Sequence, residues 1–188
     1  MSHQLRLCYW ILWLLQVAID LRGGDIIEVA LPKHLADIDD PDTPFVLLEN
    51  NARRVYVAQS GLIGPDGIDA NGRATYRSGQ SRYELGDDDR LVVELQWQDG
   101  DDVSVTKRFT FTRASYVIDV DYIVDNDSDQ RWQANLFGQI KRDGTAAPQA
   151  DSGGMGMQPF LGAATSTPDD RFRKFDFEDM REEPFRAQ

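Results

Sequence analysis

Ten residues, Val103–Thr112 (VSVTKRFTFT), constrain the fold more than any other stretch of the chain. Val103, Val105, Phe109 and Phe111 share one parity, with Lys107 the only polar member, while Ser104, Thr106, Arg108, Thr110 and Thr112 fill the other. Alternation with period two puts one face of a strand on a core and the other in water. The next run, Tyr116–Val124, repeats the pattern, with Tyr116, Ile118, Val120, Tyr122 and Val124 on one side and Asp119 and Asp121, flanked by Val117 and Ile123, on the other. Leu91–Trp97 precedes them and Arg131–Lys141 follows. The linkers Gln98–Asp102, Arg113–Ser115 and Asp125–Gln130 are short, so the four runs predict an antiparallel meander. The aromatics Trp97, Phe109, Phe111, Tyr116, Tyr122, Trp132 and Phe137 then read as its core and cross-strand pairs.

The flanks fit the same class. Val17–Leu21 leads through Arg22-Gly23-Gly24-Asp25, a turn with adjacent glycines, into Ile26–Leu31. Phe45–Glu49 and Val55–Gln59 are further short runs split by Asn50-Asn51. Residues 61–79 hold Gly64-Pro65-Asp66-Gly67 and Asn71-Gly72, turn-forming pairs that predict a surface loop. Beyond Lys141 the chain loosens through Asp151–Met157, and Arg171–Phe177 alternates imperfectly, with Phe172 on one parity and Phe175 and Phe177 on the other. No stretch carries sustained helical periodicity with caps. The fold class is all-β.

The start differs. Cys8–Leu15 (CYWILWLL) is an unbroken apolar run, too short to span a bilayer, for which roughly 20 residues are needed. Three readings stay open: a signal or anchor remnant, a buried strand, or a start foreign to the natural chain. The expected division is residues 1–16 as an anomalous leader and 17–188 as a β-domain.

Charge and chemistry narrow the function. Twenty Lys and Arg against 32 Asp and Glu leave a net charge of −12, which argues against a general nucleic-acid binder because phosphate would be repelled. Anionic lipid headgroups would be repelled by the chain as a whole for the same reason. The lone cysteine, Cys8, excludes a disulfide framework and a multi-cysteine zinc site. Asp125, Asp127 and Asp129 begin with calcium-loop spacing, but Gln130 and Leu136 stand where an EF-hand needs Gly and Glu. Asp37, Asp39, Asp40 and Asp42, and Asp87–Asp89, read as solvated turns. Glu28 and Glu94 fall on the outward parity, and His34 has no nucleophile in a recognisable motif. The expectation is no catalytic residue, no metal, no cofactor and no small-molecule substrate.

An ordered set of short pieces supplies the rest. Leu21-Arg22-Gly23-Gly24-Asp25, Leu31-Pro32, Pro44–Glu49, Ala58–Leu62, Lys107-Arg108-Phe109, Tyr116–Val120, Phe137-Gly138-Gln139, Gly162-Ala163-Ala164, Ser166–Asp169 and Lys174-Phe175 follow one another with matching spacing. Together they resemble the large periplasmic domain of the YidC membrane protein insertases of Gram-negative bacteria. The resemblance implies an antiparallel twisted β-supersandwich of the galactose-mutarotase-like kind, incomplete at the C-terminal end, since that family's domain continues with further strands. It also implies an inner-membrane parent with this domain on the periplasmic face, non-enzymatic, assisting insertion and folding through protein–protein contacts. The helical insertase core lies outside this chain. The implied partners are the Sec accessory complex SecDF and nascent membrane proteins. The implied partner-binding residues are Phe160, Gly162, Ala163, Ala164, Thr167, Pro168, Asp169 and Phe175. The alternative is a carbohydrate-binding or mutarotase-like sandwich.

Overall fold

The computed structural model describes residues 7–11, 14–100, 102–144, 160–168 and 170–182. The chain forms two compact units, residues 1–142 and residues 143–188.

The larger unit is two facing sheets. The first has seven strands in the order β11-β5-β4-β3-β2-β1-β7, made of β1 (Leu7–Ile11), β2 (Gln16–Asp20), β3 (Asp25–Asp37), β4 (Asp40–Asn50), β5 (Val55–Ile63), β7 (Arg82–Glu84) and β11 (Asn135–Arg142). Among the described residues only the β1–β7 pairing is parallel. The second sheet, β10-β9-β8-β6, is antiparallel and contains β6 (Arg77–Ser78), β8 (Arg90–Asp99), β9 (Val103–Thr112) and β10 (Ile118–Asn126). The all-β class is therefore confirmed.

The alternation in β9 is realised residue by residue: Val105, Lys107, Phe109 and Phe111 are buried and their neighbours are not. Phe109 and Phe111 meet Val93 and Leu95 of β8 and, from the first sheet, Val17, Ile19, Ile26, Val29 and Leu48 in one core. Turn chemistry accounts for the hairpins. Gly100 takes φ +62° between β8 and β9, a left-handed conformation that costs glycine little. Asn51 Oδ1 accepts the amides of Arg53 and Arg54 at 2.8 and 3.0 Å, an Asx turn that closes β4 on β5.

Three expectations change. The fourth run of the predicted meander starts later, at Asn135, and does not pair with β10; it crosses to the first sheet and lies antiparallel to β5, with Phe137 opposite Gly61. The connection is drawn away by the residue 64–69 loop, where Asp66 N donates to Gln133 O (3.0 Å) and Gln133 N to Asp66 Oδ2 (2.8 Å). The 61–79 stretch predicted as a surface loop is not merely superficial, because Asp69, Ala74 and Tyr76 are buried. Tyr116 is not a core residue; it is 48% exposed.

At the start of the chain, Leu7–Ile11 pairs antiparallel with Gln16–Asp20, and Leu15 lies in the main core. The smaller unit holds a two-stranded antiparallel hairpin, β12 (Gly162–Thr165) and β13 (Arg173–Asp176), and one helical turn, α1 (Asp179–Glu182).

Candidate functional site

Lys107, the polar exception in an apolar row, organises the interior. It stands between Leu95 of β8 and Tyr122 of β10 in register and is 1% exposed. Its Nζ reaches across the sandwich and donates to Gly23 O and Ser60 O, both at 3.0 Å. Arg73, from the residue 64–76 loop, donates through Nη2 to the same two carbonyls at 3.0 and 2.9 Å and pairs with Asp25. Its Nη1 lies 3.0 Å from Asp69 Oδ1. Asp69 in turn accepts the amides of Leu62 and Ala74, and Gln59 Nε2 donates to Asp25 Oδ2 at 2.6 Å.

Two carboxylates and two cations thus neutralise one another inside the fold. Burial would otherwise be severe for each of them. It lowers the Lys107 pKa to about 8, with Asp25 opposing, and raises that of Asp25 against the pull of Arg73. It also pushes Tyr122 up to about 12, despite its hydrogen bond with Ser60.

The adjacent glycines of the LRGGD motif belong to this arrangement. Gly23 and Gly24 have φ of +87° and +60°. A Cβ at Gly24 would sit 2.8 Å from Lys107 Cδ, and one at Gly23 would overlap the Arg73 guanidinium. The tight turn lets both cations approach the backbone.

The residues implied as partner-binding sit in the smaller unit. Gly162, Ala163 and Ala164 are in β12, opposite Asp176, Phe175 and Lys174 of β13. Thr167 and Pro168 lie in the intervening turn, which closes when Asp170 N donates to Thr167 Oγ1 (3.0 Å) and Thr167 N to Asp170 O (2.8 Å). Asp169 is outside the described residues. Phe160 is 44% exposed and stacks with Lys174, whose Nζ is 4.9 Å from the ring centre. The hairpin therefore gathers Phe160, Gly162, Ala163, Ala164, Thr167, Pro168 and Phe175 on one small element.

Sequence reasoning marked Lys107 as anomalous but missed its companions Asp25, Asp69 and Arg73. The two glycines before Asp25 were the available signal, since side chains that close to backbone need them. Among the described residues no group of three or more His, Cys, Asp or Glu side chains is placed to hold a metal ion.

The larger unit is thus a two-sheet sandwich with one neutralised ionic cluster in its interior. The model of the YidC periplasmic domain family matches residues 13–188, and the chain belongs to that family. It is 47% identical over 176 residues to the membrane protein insertase YidC of Saccharophagus degradans, covering 93% of this chain and 31% of that protein. Identity to the YidC insertases of Cellvibrio japonicus and Pseudomonas aeruginosa is 45% over 173 residues and 41% over 196 residues, covering 91% and 92% of this chain and 31% and 34% of those proteins. The chain spans about a third of the length of these relatives.

Proposed function

We propose that the chain is the periplasmic β-domain portion of a membrane protein insertase, held at the periplasmic face of the inner membrane. It assists insertion and folding of membrane proteins by making protein–protein contacts and carries out no bond-making of its own. The observation that carries this reading is the family match across residues 13–188 together with relatives that are insertases by name. On this reading the domain takes in the family-matched residues 13–188, and Leu7–Ile11 adds a strand to its first sheet. The carbohydrate alternative is not favoured, because neither the family nor these relatives carry a sugar-related name.

The partner surface is the β12–β13 hairpin, offered to SecDF. Phe160, Phe172 and Lys174 support it: two rings, 44% and 67% exposed, both near one ammonium group. Exposed phenylalanine rings are enriched at protein interfaces, and the ammonium holds both through cation–π contacts. A photo-crosslinking amino acid placed at Phe160 or Ala164 of the full-length insertase tests the proposal in membranes. Adducts with SecDF are expected from these positions and not from Ile140 of β11. Equal adduct recovery from membranes lacking SecDF would refute the partner assignment.

A further inference from the structure

Asn71 and Gly72 lie in the residue 64–76 loop, and both are exposed. Asn71 is the only asparagine of the chain that precedes a glycine. Other asparagines have their side chains tied into turns: Asn51 Oδ1 accepts two backbone amides, and Asn126 Nδ2 donates to Gln130 O. Among the described residues the Asn71 side chain makes no hydrogen bond. Gly72 has φ of +129°, and a Cβ built there would meet nothing within 4 Å. No side chain shields its backbone nitrogen, and the hydrogen bond this nitrogen makes, to Asp69 O, is long at 3.4 Å.

A side-chain amide next to an unshielded backbone nitrogen can react with it. Gly72 N attacks Asn71 Cγ, a C–N bond forms, and the Asn71 side-chain nitrogen leaves as ammonia, taking the Gly72 amide proton with it. The product is a cyclic succinimide, which water opens at either carbonyl. Opening at the main-chain carbonyl routes the backbone through Cβ and Cγ and gives isoaspartate, while opening at the side-chain carbonyl gives aspartate. Water is the only co-reactant. Position gives this chemistry its consequence. Asp69 and Arg73 bracket the pair, and Arg73 Nη1 lies 3.0 Å from Asp69 Oδ1, which also accepts the Ala74 amide at 3.1 Å. Isoaspartate inserts one backbone atom between Asp69 and Arg73. The added bond of about 1.5 Å exceeds the slack that a hydrogen bond tolerates.

We propose that Asn71-Gly72 is a site of spontaneous deamidation and that its isoaspartate product loosens the Asp69–Arg73 contact of the internal charge cluster. The inference stands independently of the insertase reading.

Incubation of the folded chain of 188 residues at neutral pH tests the site, read by peptide-mapping mass spectrometry and by labelling with protein isoaspartyl methyltransferase. The expected result is isoaspartate accumulating at position 71 and none there in Asn71→Gln. The isoaspartate form, separated by chromatography, is expected to unfold in urea at a midpoint lower by about 1 M. Asn71→Asp adds the charge without lengthening the backbone and is expected to keep the midpoint of the parent. Asn71 staying intact in the folded chain while the urea-unfolded chain converts would overturn the site. An isoaspartate form as stable as the parent, or an equal loss in Asn71→Asp, would overturn the link to the cluster.

Discussion

Replacing Lys107 with Met measures what the internal charge cluster contributes. The substitution keeps an unbranched chain of similar length and removes only the ammonium. Its two acceptors, Gly23 O and Ser60 O, still receive Arg73 Nη2, so no buried carbonyl is left unpaired. What changes is charge: Asp25 and Asp69 then share Arg73 alone, leaving one net negative charge in the interior. Removing one partner of a buried pair costs about 3–5 kcal/mol. The lowered pKa of Lys107 means that desolvation of the ammonium outweighs its pairing, so for Lys107→Met the relieved desolvation offsets the lost pairing and the expected change lies within about 1 kcal/mol. Arg73→Met strips Asp25 and Asp69 of their direct partner and is expected to fall within the full range. Urea denaturation reads both. A loss of about 4 kcal/mol with a slope near 2 kcal/mol per molar lowers the Arg73→Met midpoint by about 2 M, and the slope stays unchanged. A Lys107→Met protein destabilised as much as Arg73→Met would show that pairing outweighs desolvation, and the account of the cluster given above would be wrong.

Two further outcomes follow from the same residues. The folded pKa of Lys107, about 8, lies below its ordinary 10.5, so the unfolded chain holds more protons between these values and stability should rise with pH through that window. Tyr76 and Tyr122, both raised above the ordinary 10.0 by burial, reverse the slope at higher pH; chemical denaturation from pH 7 to 10 should therefore show a rise that Lys107→Met lacks. Gly24→Ala meets both a left-handed φ and the Lys107 side chain, whereas Gly100→Ala meets only the φ with open space around it. Thermal melts should show Gly24→Ala the more destabilising, by about 2 kcal/mol against about 1; equal losses would remove the close-approach argument for the glycine pair.

Much of this architecture was legible in local pattern. The parity of Val105, Phe109 and Phe111 gave the buried face of β9, and Lys107 stood out as the one polar residue on that parity. Turn residues marked the hairpins at Gly23-Gly24, Asn51 and Gly100. These features depend on neighbours within a few residues, which is the range over which alternation and φ preferences act. Partner choice between distant segments does not. β11 pairs with β5 rather than β10 because the connection before it is captured by Asp66, 67 residues away from Gln133. Asp69 and Arg73 sit in a stretch whose composition says loop, and only the closing of one sheet over the other brings them beside Asp25 and Lys107. The His34–Tyr116 hydrogen bond likewise exists because a three-residue bulge in β3 lifts one strand toward the start of another. The amino-acid order thus determined which faces are apolar and where the chain turns, while the tertiary structure decided which charges meet and which strands pair, since both require contacts between residues that no local periodicity relates.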